Sequence, residues 1–253
     1  MGRRGGADLD DQARAERRAW RRGRSGAVAA AAAGPGGARL GVLVSGHGRG
    51  TNLQAILDAC ASGEIPGSVA VVIGVRDDAP ALDRARAAGV PVRCVPPPPR
   101  GQGDAAYGQA LLAELREHGV TILCLAGFMR MLPRALVEAY AGRALNVHPG
   151  LLPMFGGKGM YGQRVHRAVI ESGMKVSGCT VHLVDDEYDH GAILLQSVVP
   201  VHDDDTPETL AARVLPEEHR TYVAAIRLLA VGRVQIEGRR ARVVVTGDEG
   251  GTR

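Results

Sequence analysis

The chain has 253 residues, is 45% apolar and 3% aromatic, and carries a formal charge of +4. That length holds one large domain or two small ones, with a core resting on Val, Leu, Ile and Ala. Residues 1–38 hold eight arginines against four acids, which leaves 23 residues of each sign in the remainder. A neutral body with few stacking aromatics excludes nucleic-acid binding by the folded part.

Residues 1–38 are rich in Arg, Ala and Gly and lack a sustained apolar face, so a disordered extension is expected there. Order begins at Arg39. The apolar run Leu40 to Ser45 predicts a buried strand, and Gly46 to Asn52 a glycine-rich loop. Leu53 to Ala61 has helical spacing, with apolar residues at 53, 56, 57 and 60. Further strands are predicted at 69–75, 90–95, 121–126 and 144–148, with helices at 79–88, 105–118 and 133–140 between them. Pro96 to Pro99 forces an extended loop. This alternation predicts an α/β fold with a doubly wound, mostly parallel sheet.

After residue 148 the pattern changes. A Gly-rich loop (155–162) leads into a helix near 163–172. Two longer strands, 175–184 and 192–201, flank the acidic stretch Asp185 to Gly191. A long helix over 207–231 follows, with Thr206 as its N-cap, and then strands at 234–237 and 241–245. C-terminal antiparallel strands and a long helix are therefore expected. The organisation expected is one domain over 39–246, split into a phosphate-binding half (39–140) and a catalytic half (141–246), with residues 247–253 frayed. Cys60, Cys94, Cys124 and Cys179 lack metal-ligand spacing, so no metal is expected, and they suit a reducing cytoplasm. No apolar run reaches membrane-spanning length.

Five stretches carry chemistry. Asn146 and His148 stand two apart on a strand, so they face one side, and Pro149 ends regular pairing. An amide and an imidazole there can polarise a carbonyl and move a proton; a structural histidine is the alternative. Gly46-x-Gly48-x-Gly50-Thr51-Asn52 stands between strand and helix, where free N–H groups hold phosphate or simply form a tight turn. Leu125 to Leu132, at the end of the fourth strand, can wrap a flat heterocycle or pack ordinarily. The turn 185–191 offers a carboxylate, above all Asp189, or a solvated loop. Glu217-Glu218-His219 offers an acid for a cationic amine or a solvated helix face.

Taken in order, the segments 44–56, 125–130, 144–153, 181–191 and 217–219 resemble the phosphoribosylglycinamide formyltransferase family from residue 39 to about 237. The resemblance implies a Rossmann-like formyltransferase fold. It also implies transfer of a formyl group from 10-formyltetrahydrofolate to the amine of glycinamide ribonucleotide. By the same resemblance Asn146, His148 and Asp189 form the catalytic set, and Gly50, Thr51 and Asn52 hold the substrate phosphate. Glu218 lies near the glycinamide amine, and Met129, Arg130, Met131, Leu132 and Asn146 meet the folate. The implied partners are small molecules, with no nucleic acid, membrane or metal, in a cytoplasmic monomer or homodimer. If Asp189 faces His148, the imidazole is expected to titrate above a free histidine.

Two departures from many relatives stand out: the phosphate loop is longer, and Asp104-Ala105 replaces a basic residue before Ala106-Tyr107. Arg49 either adds a phosphate contact or points to solvent. Methionyl-tRNA formyltransferase and formyltetrahydrofolate hydrolase share the Asn-x-His-Pro and Asp set. The first is expected to need a basic C-terminal domain, and the second an N-terminal regulatory domain. Residues 200–253 and 1–38 are too few for either. A folate- or nucleotide-binding module with an idle catalytic set is the non-enzymatic alternative.

Overall fold

A computed structural model describes residues 28–29, 37–46, 48–99 and 102–244. The strands are β1 (Val28–Ala29), β2 (Ala38–Val44), β3 (Gly67–Gly74), β4 (Val92–Cys94), β5 (Ile122–Leu125), β6 (Ala144–His148), β7 (Val176–Leu183), β8 (Ile193–Pro200), β9 (Val234–Glu237) and β10 (Arg240–Val243). The helices are α1 (Thr51–Ala61), α2 (Pro80–Ala87), α3 (Asp104–Glu117), α4 (Arg134–Ala139), α5 (Gln163–Glu171) and α6 (Pro207–Ala230). One sheet runs β1-β9-β10-β8-β7-β6-β5-β2-β3-β4. The pairs from β4 through β3, β2 and β5 to β6 are parallel. At β6–β7 and β7–β8 the pairing turns antiparallel, as the acidic hairpin implied.

Apolar runs on both faces of the parallel strands require cover on both sides. Leu53, Ile56 and Leu57 of α1, Ala81, Leu82 and Ala85 of α2, and Tyr222, Ile226 and Leu229 of α6 share one core. Leu111, Leu112 and Leu115 of α3 and Leu136 and Val137 of α4 build the other. α6 opens with Thr206 and Thr209 in a reciprocal capping box. Its fully buried Tyr222 aims one hydroxyl at the Leu125 and Leu145 carbonyls, 3.0 and 3.1 Å away. That contact ties the helix to the last residue of β5 and to the early part of β6.

Several boundaries shift for physical reasons. β2 opens at Ala38, whose N–H donates to the Pro66 carbonyl at 2.9 Å. β4 keeps only Val92–Cys94 of the expected 90–95, since Pro91 and Pro96 have no N–H to donate. α1 begins at Thr51, two residues early, because Gly50 takes φ 71° and caps it.

The extension and the tail lie mostly outside the described residues. Val28 and Ala29 pair with Ile236 and Gln235 on the rim of the sheet. A chain beginning at Gly37 loses that two-residue pairing. Its melting temperature is expected within ~4 °C of the full chain, with unchanged turnover. Lost activity on that truncation would make the extension part of the site.

Candidate active site

Strands β2, β5 and β6 are neighbours, so the loops at their carboxyl ends crowd one edge of the sheet. Open parallel sheets bind ligands at that edge. It carries the glycine loop after β2, residues 126–133 after β5, and His148 at the end of β6 with Pro149-Gly150 after it.

Asn146 and His148 share a face of β6, as their spacing requires. Register places Asn146 opposite His182 and His148 opposite Thr180 on β7. Asn146 Nδ2 lies 3.1 Å from His182 Nε2, and His182 Nδ1 lies 2.9 Å from the Leu183 carbonyl. A carbonyl only accepts, so His182 carries its proton on Nδ1 and accepts the Asn146 amide on Nε2. One N–H of Asn146 is thereby fixed, and the second is left for a ligand. His148 follows the same logic: Nε2 sits 2.9 Å from the Phe155 carbonyl, so that nitrogen donates. Nδ1 is the nitrogen available for proton exchange, and Asp189 Oδ2 stands 3.6 Å from it.

The turn 185–191 closes over this pair. Asp189 Oδ1 is also 3.6 Å from His182 Nε2, and Oδ2 accepts the Gly157 N–H at 2.9 Å. Asp185 instead holds His190 at 2.7 Å and accepts the Glu187 N–H at 2.9 Å, so it braces the turn. Among the described residues, the non-glycines with positive φ are Phe155 at 53° and Asp189 at 52°. They are the two residues that face the two nitrogens of His148. Such backbone costs roughly 1–3 kcal/mol each, more easily borne by Asp than by Phe, and needs its surroundings to hold it.

Burial governs the electrostatics. His148 is 3% exposed, and that desolvation pushes its pKa below the ordinary value although Asp189 and the Phe155 carbonyl pull upward. The expectation of a raised imidazole pKa is therefore corrected: an opposite charge at 3.6 Å loses to the cost of charging a buried ring. Burial alone would raise the Asp189 carboxyl, but the His182 and His148 rings when charged, with the Gly157 N–H, outweigh it and carry the carboxyl below its usual range. His166 of α5 is also buried, and burial with His148 nearby pushes it down to about 4. It is neutral near pH 7, with a single ring N–H.

Thr180 fixes the chain after His148. Its hydroxyl donates to the Gly150 carbonyl at 2.7 Å and accepts the Leu152 N–H at 3.0 Å. Gln196 closes the bracket, donating to Thr180 Oγ1 at 2.9 Å and to the Leu152 carbonyl at 3.0 Å. A Cβ on Gly150 would stand 3.1 Å from His148 Nε2 and 2.8 Å from Val165, so only glycine fits against the imidazole. His182 and Thr180 have no assigned role in the sequence reading. The available signal was two polar residues, two apart, in an otherwise buried strand.

At the glycine loop, Gly50, Thr51 and Asn52 supply the N–H groups of the α1 N-terminus, which has no side-chain cap. Asn52 Nδ2 donates to Glu218 Oε2 at 3.1 Å, joining two residues expected on the same substrate. Asn52 Oδ1 is buried without a partner among the described residues. Glu218 is 8% exposed; burial raises its pKa, partly offset by Asn52. The pair presents acceptor oxygens to a donor.

After β5, Met129 and Met131 are 48% exposed and Tyr188 38%, an open apolar surface at the sheet edge. The Met131 N–H reaches the Tyr188 hydroxyl at 3.1 Å and the Met129 N–H reaches Ser45 Oγ at 2.8 Å. Leu132 instead packs in the core with Phe128 and Leu136. Arg130 lies over the Tyr107 ring, 5.9 Å from its centroid, and 4.0 Å from Asp104. A depression of about 740 Å³ beside β3 and β4 is lined by Arg76, Asp77, Asp78 and Arg86. Its charges pair internally, Arg76 with Asp78 and Arg86 with Asp77, and it lies away from His148. No group of metal-ligating side chains occurs among the described residues, and no helix there is long and apolar enough to cross a membrane.

A model of the formyl transferase family matches residues 38–226. The chloroplastic phosphoribosylglycinamide formyltransferase of Arabidopsis thaliana is 43% identical over 197 residues, 78% of this chain and 67% of that protein. The phosphoribosylglycinamide formyltransferase of Escherichia coli is 40% identical over 195 residues, 77% of this chain and 88% of that protein. Among solved structures, glycinamide ribonucleotide transformylase 1 of Symbiobacterium toebii is 48% identical with a TM-score of 0.76, covering 84% of this chain and 96% of the other.

Proposed function

The chain belongs to the formyl transferase family, and from that premise we propose that it moves a formyl group from a formyl folate to the amine of glycinamide ribonucleotide. The reaction serves purine biosynthesis, and the donor in our reading is 10-formyltetrahydrofolate. The convergence of Asn146, His148 and Asp189 at one sheet edge carries this reading.

The amine nitrogen bonds to the formyl carbon, the bond from that carbon to the folate nitrogen breaks, and one proton passes from amine to folate nitrogen. Between those events the formyl oxygen bears negative charge. The second N–H of Asn146 and the positive charge of a protonated His148 stabilise it. Burial keeps His148 neutral at rest, so developing negative charge nearby raises its proton affinity when a proton is needed. Once both nitrogens are protonated, one faces the Phe155 carbonyl and the other Asp189, and the added charge meets a carboxylate. Asp189, held open by Gly157, also orients water between the two nitrogens that exchange the proton. Asn52 and Glu218 receive donors of the ribonucleotide, and Gly50 to Asn52 its phosphate. Met129, Met131 and Tyr188 cover the folate ring, and Arg130, which lies over the Tyr107 ring, brings a cation to the same segment. The four free cysteines fit a reducing compartment, which we take to be the cytoplasm.

The test is formyl transfer by purified protein with both substrates. Release of formate without transfer would favour the hydrolase reading, and binding without turnover the idle module. The phosphate assignment has its own test. A glycinamide riboside lacking phosphate is expected to bind about two decades more weakly than the ribonucleotide, the scale of one or two charge-assisted hydrogen bonds. Equal affinity would remove phosphate from residues 50–52.

A further inference from the structure

Arg84 of α2 reaches across to the glycine loop. Its Nε donates to the Arg49 carbonyl at 2.7 Å and Nη1 to Gln54 Oε1 at 3.0 Å. One guanidinium thus ties the loop to the first turn of α1. A Cβ on Gly50 would meet Ala81 at 2.8 Å and Arg84 Cδ at 3.3 Å, so α2 presses directly on this glycine. Among the described residues no carboxylate pairs with Arg84: Asp58 accepts from the Gln54 amide, while Asp83 and Asp77 pair with Arg86.

Two physical facts give this arrangement a role. A trans peptide is planar, with its C=O and N–H pointing in opposite directions. Holding the Arg49 carbonyl toward Arg84 therefore aims the Gly50 N–H away from that side chain. Second, a helix N-terminus is electrostatically positive, so a guanidinium beside it with no carboxylate partner adds to the attraction for an anion. We propose that Arg84 is a positioning residue for the ribonucleotide phosphate: it sets the direction of the Gly50 N–H and supplies charge behind the loop. This rests on the phosphate reading of residues 50–52 given above. Arg49 takes part in this arrangement through its carbonyl, and its side chain is exposed.

Steady-state kinetics of Arg84→Ala, Arg84→Gln and Arg84→Lys test it with the full chain. Arg84→Ala is expected to raise KM for the ribonucleotide about tenfold or more, the scale of one charge-assisted contact. Its kcat and its KM for formyl folate should stay within about twofold. Inhibition by ribose 5-phosphate should weaken in parallel. The preference for ribonucleotide over riboside should shrink by the same factor. Arg84→Lys keeps the charge and one donor and should recover most of the loss, and Arg84→Gln, which keeps a donor alone, less. An unchanged ribonucleotide KM in folded Arg84→Ala overturns the proposal. So does an equal loss for ribonucleotide and riboside, because Arg84 would then act without the phosphate. Should the alanine variant not fold, the lysine and glutamine variants carry the same comparison, and equal KM values in both remove the charge role. If the wild-type chain itself fails to prefer the ribonucleotide, the phosphate reading falls instead.

Discussion

Replacing His148 with alanine is expected to lower kcat by two decades or more, the usual scale for a positioned acid–base group. The KM of the ribonucleotide should move little, since its proposed anchors are the loop at 50–52 and Glu218. The imidazole is buried, so the alanine variant also leaves a void, and melting temperature must be followed beside turnover. His148→Gln separates the two effects. Its amide fills most of the space and can still donate to the Phe155 carbonyl, but it cannot carry a proton. Both variants should lose activity alike. A folded glutamine variant with near-normal turnover would show that His148 only packs.

Replacing Asp189 with asparagine is expected to cost one to two decades of activity and to lower the His148 pKa further. The sign follows from the balance in the pocket. Burial already holds the imidazole below its ordinary value, and the Asp189 charge is the largest influence opposing it. Removing that charge leaves burial less opposed. The protonated fraction at neutral pH then shrinks, and the limb on which rate falls with rising pH moves to lower pH. Asparagine is the informative substitution, because it tolerates positive φ and can still accept the Gly157 N–H. Asp185→Asn and Asp186→Asn should leave the His148 titration in place, the former loosening the turn through His190. NMR titration of His148 across the three variants decides the matter. If Asp189→Asn leaves that pKa unchanged while a neighbour's substitution moves it, the proposed carboxylate is the wrong one.

Features that depend on local pattern could be read from the chain alone. The βα alternation followed from short apolar runs punctuated by glycine, and the shared face of Asn146 and His148 from a period of two. The antiparallel return of β7 and β8 followed from an acidic turn between two long runs. What escaped depends on distance in sequence. Asn146 meets His182 because β6 and β7 pair in one register, which no local pattern encodes. Arg84 finds Arg49 through the packing of α2 on the loop. The direction of the His148 shift also escaped, since the number of atoms that bury a side chain is a property of the whole fold. Among the four acids, resemblance and the place beside His190-Gly191 single out Asp189, and its separation from Asp185 becomes fully physical only in the shape of the turn.

Phe155 and Asp189 grip the imidazole with backbone that the rest of the chain must force into place. Two such residues at roughly 1–3 kcal/mol each subtract a noticeable share from a margin that for ordinary domains is about 5–15 kcal/mol. They sit in two connecting segments, 149–162 and 184–192, while β6 beneath them is paired on both sides, to β5 and to β7. Warming should therefore release the segments first, as a local opening that leaves the sheet intact. Amide protons of residues 155–157 and 187–190 would exchange long before those of β5 and β6. Catalytic competence would then fade below the temperature at which the protein melts, because the part of the chain that aims the proton is also the part wound tightest.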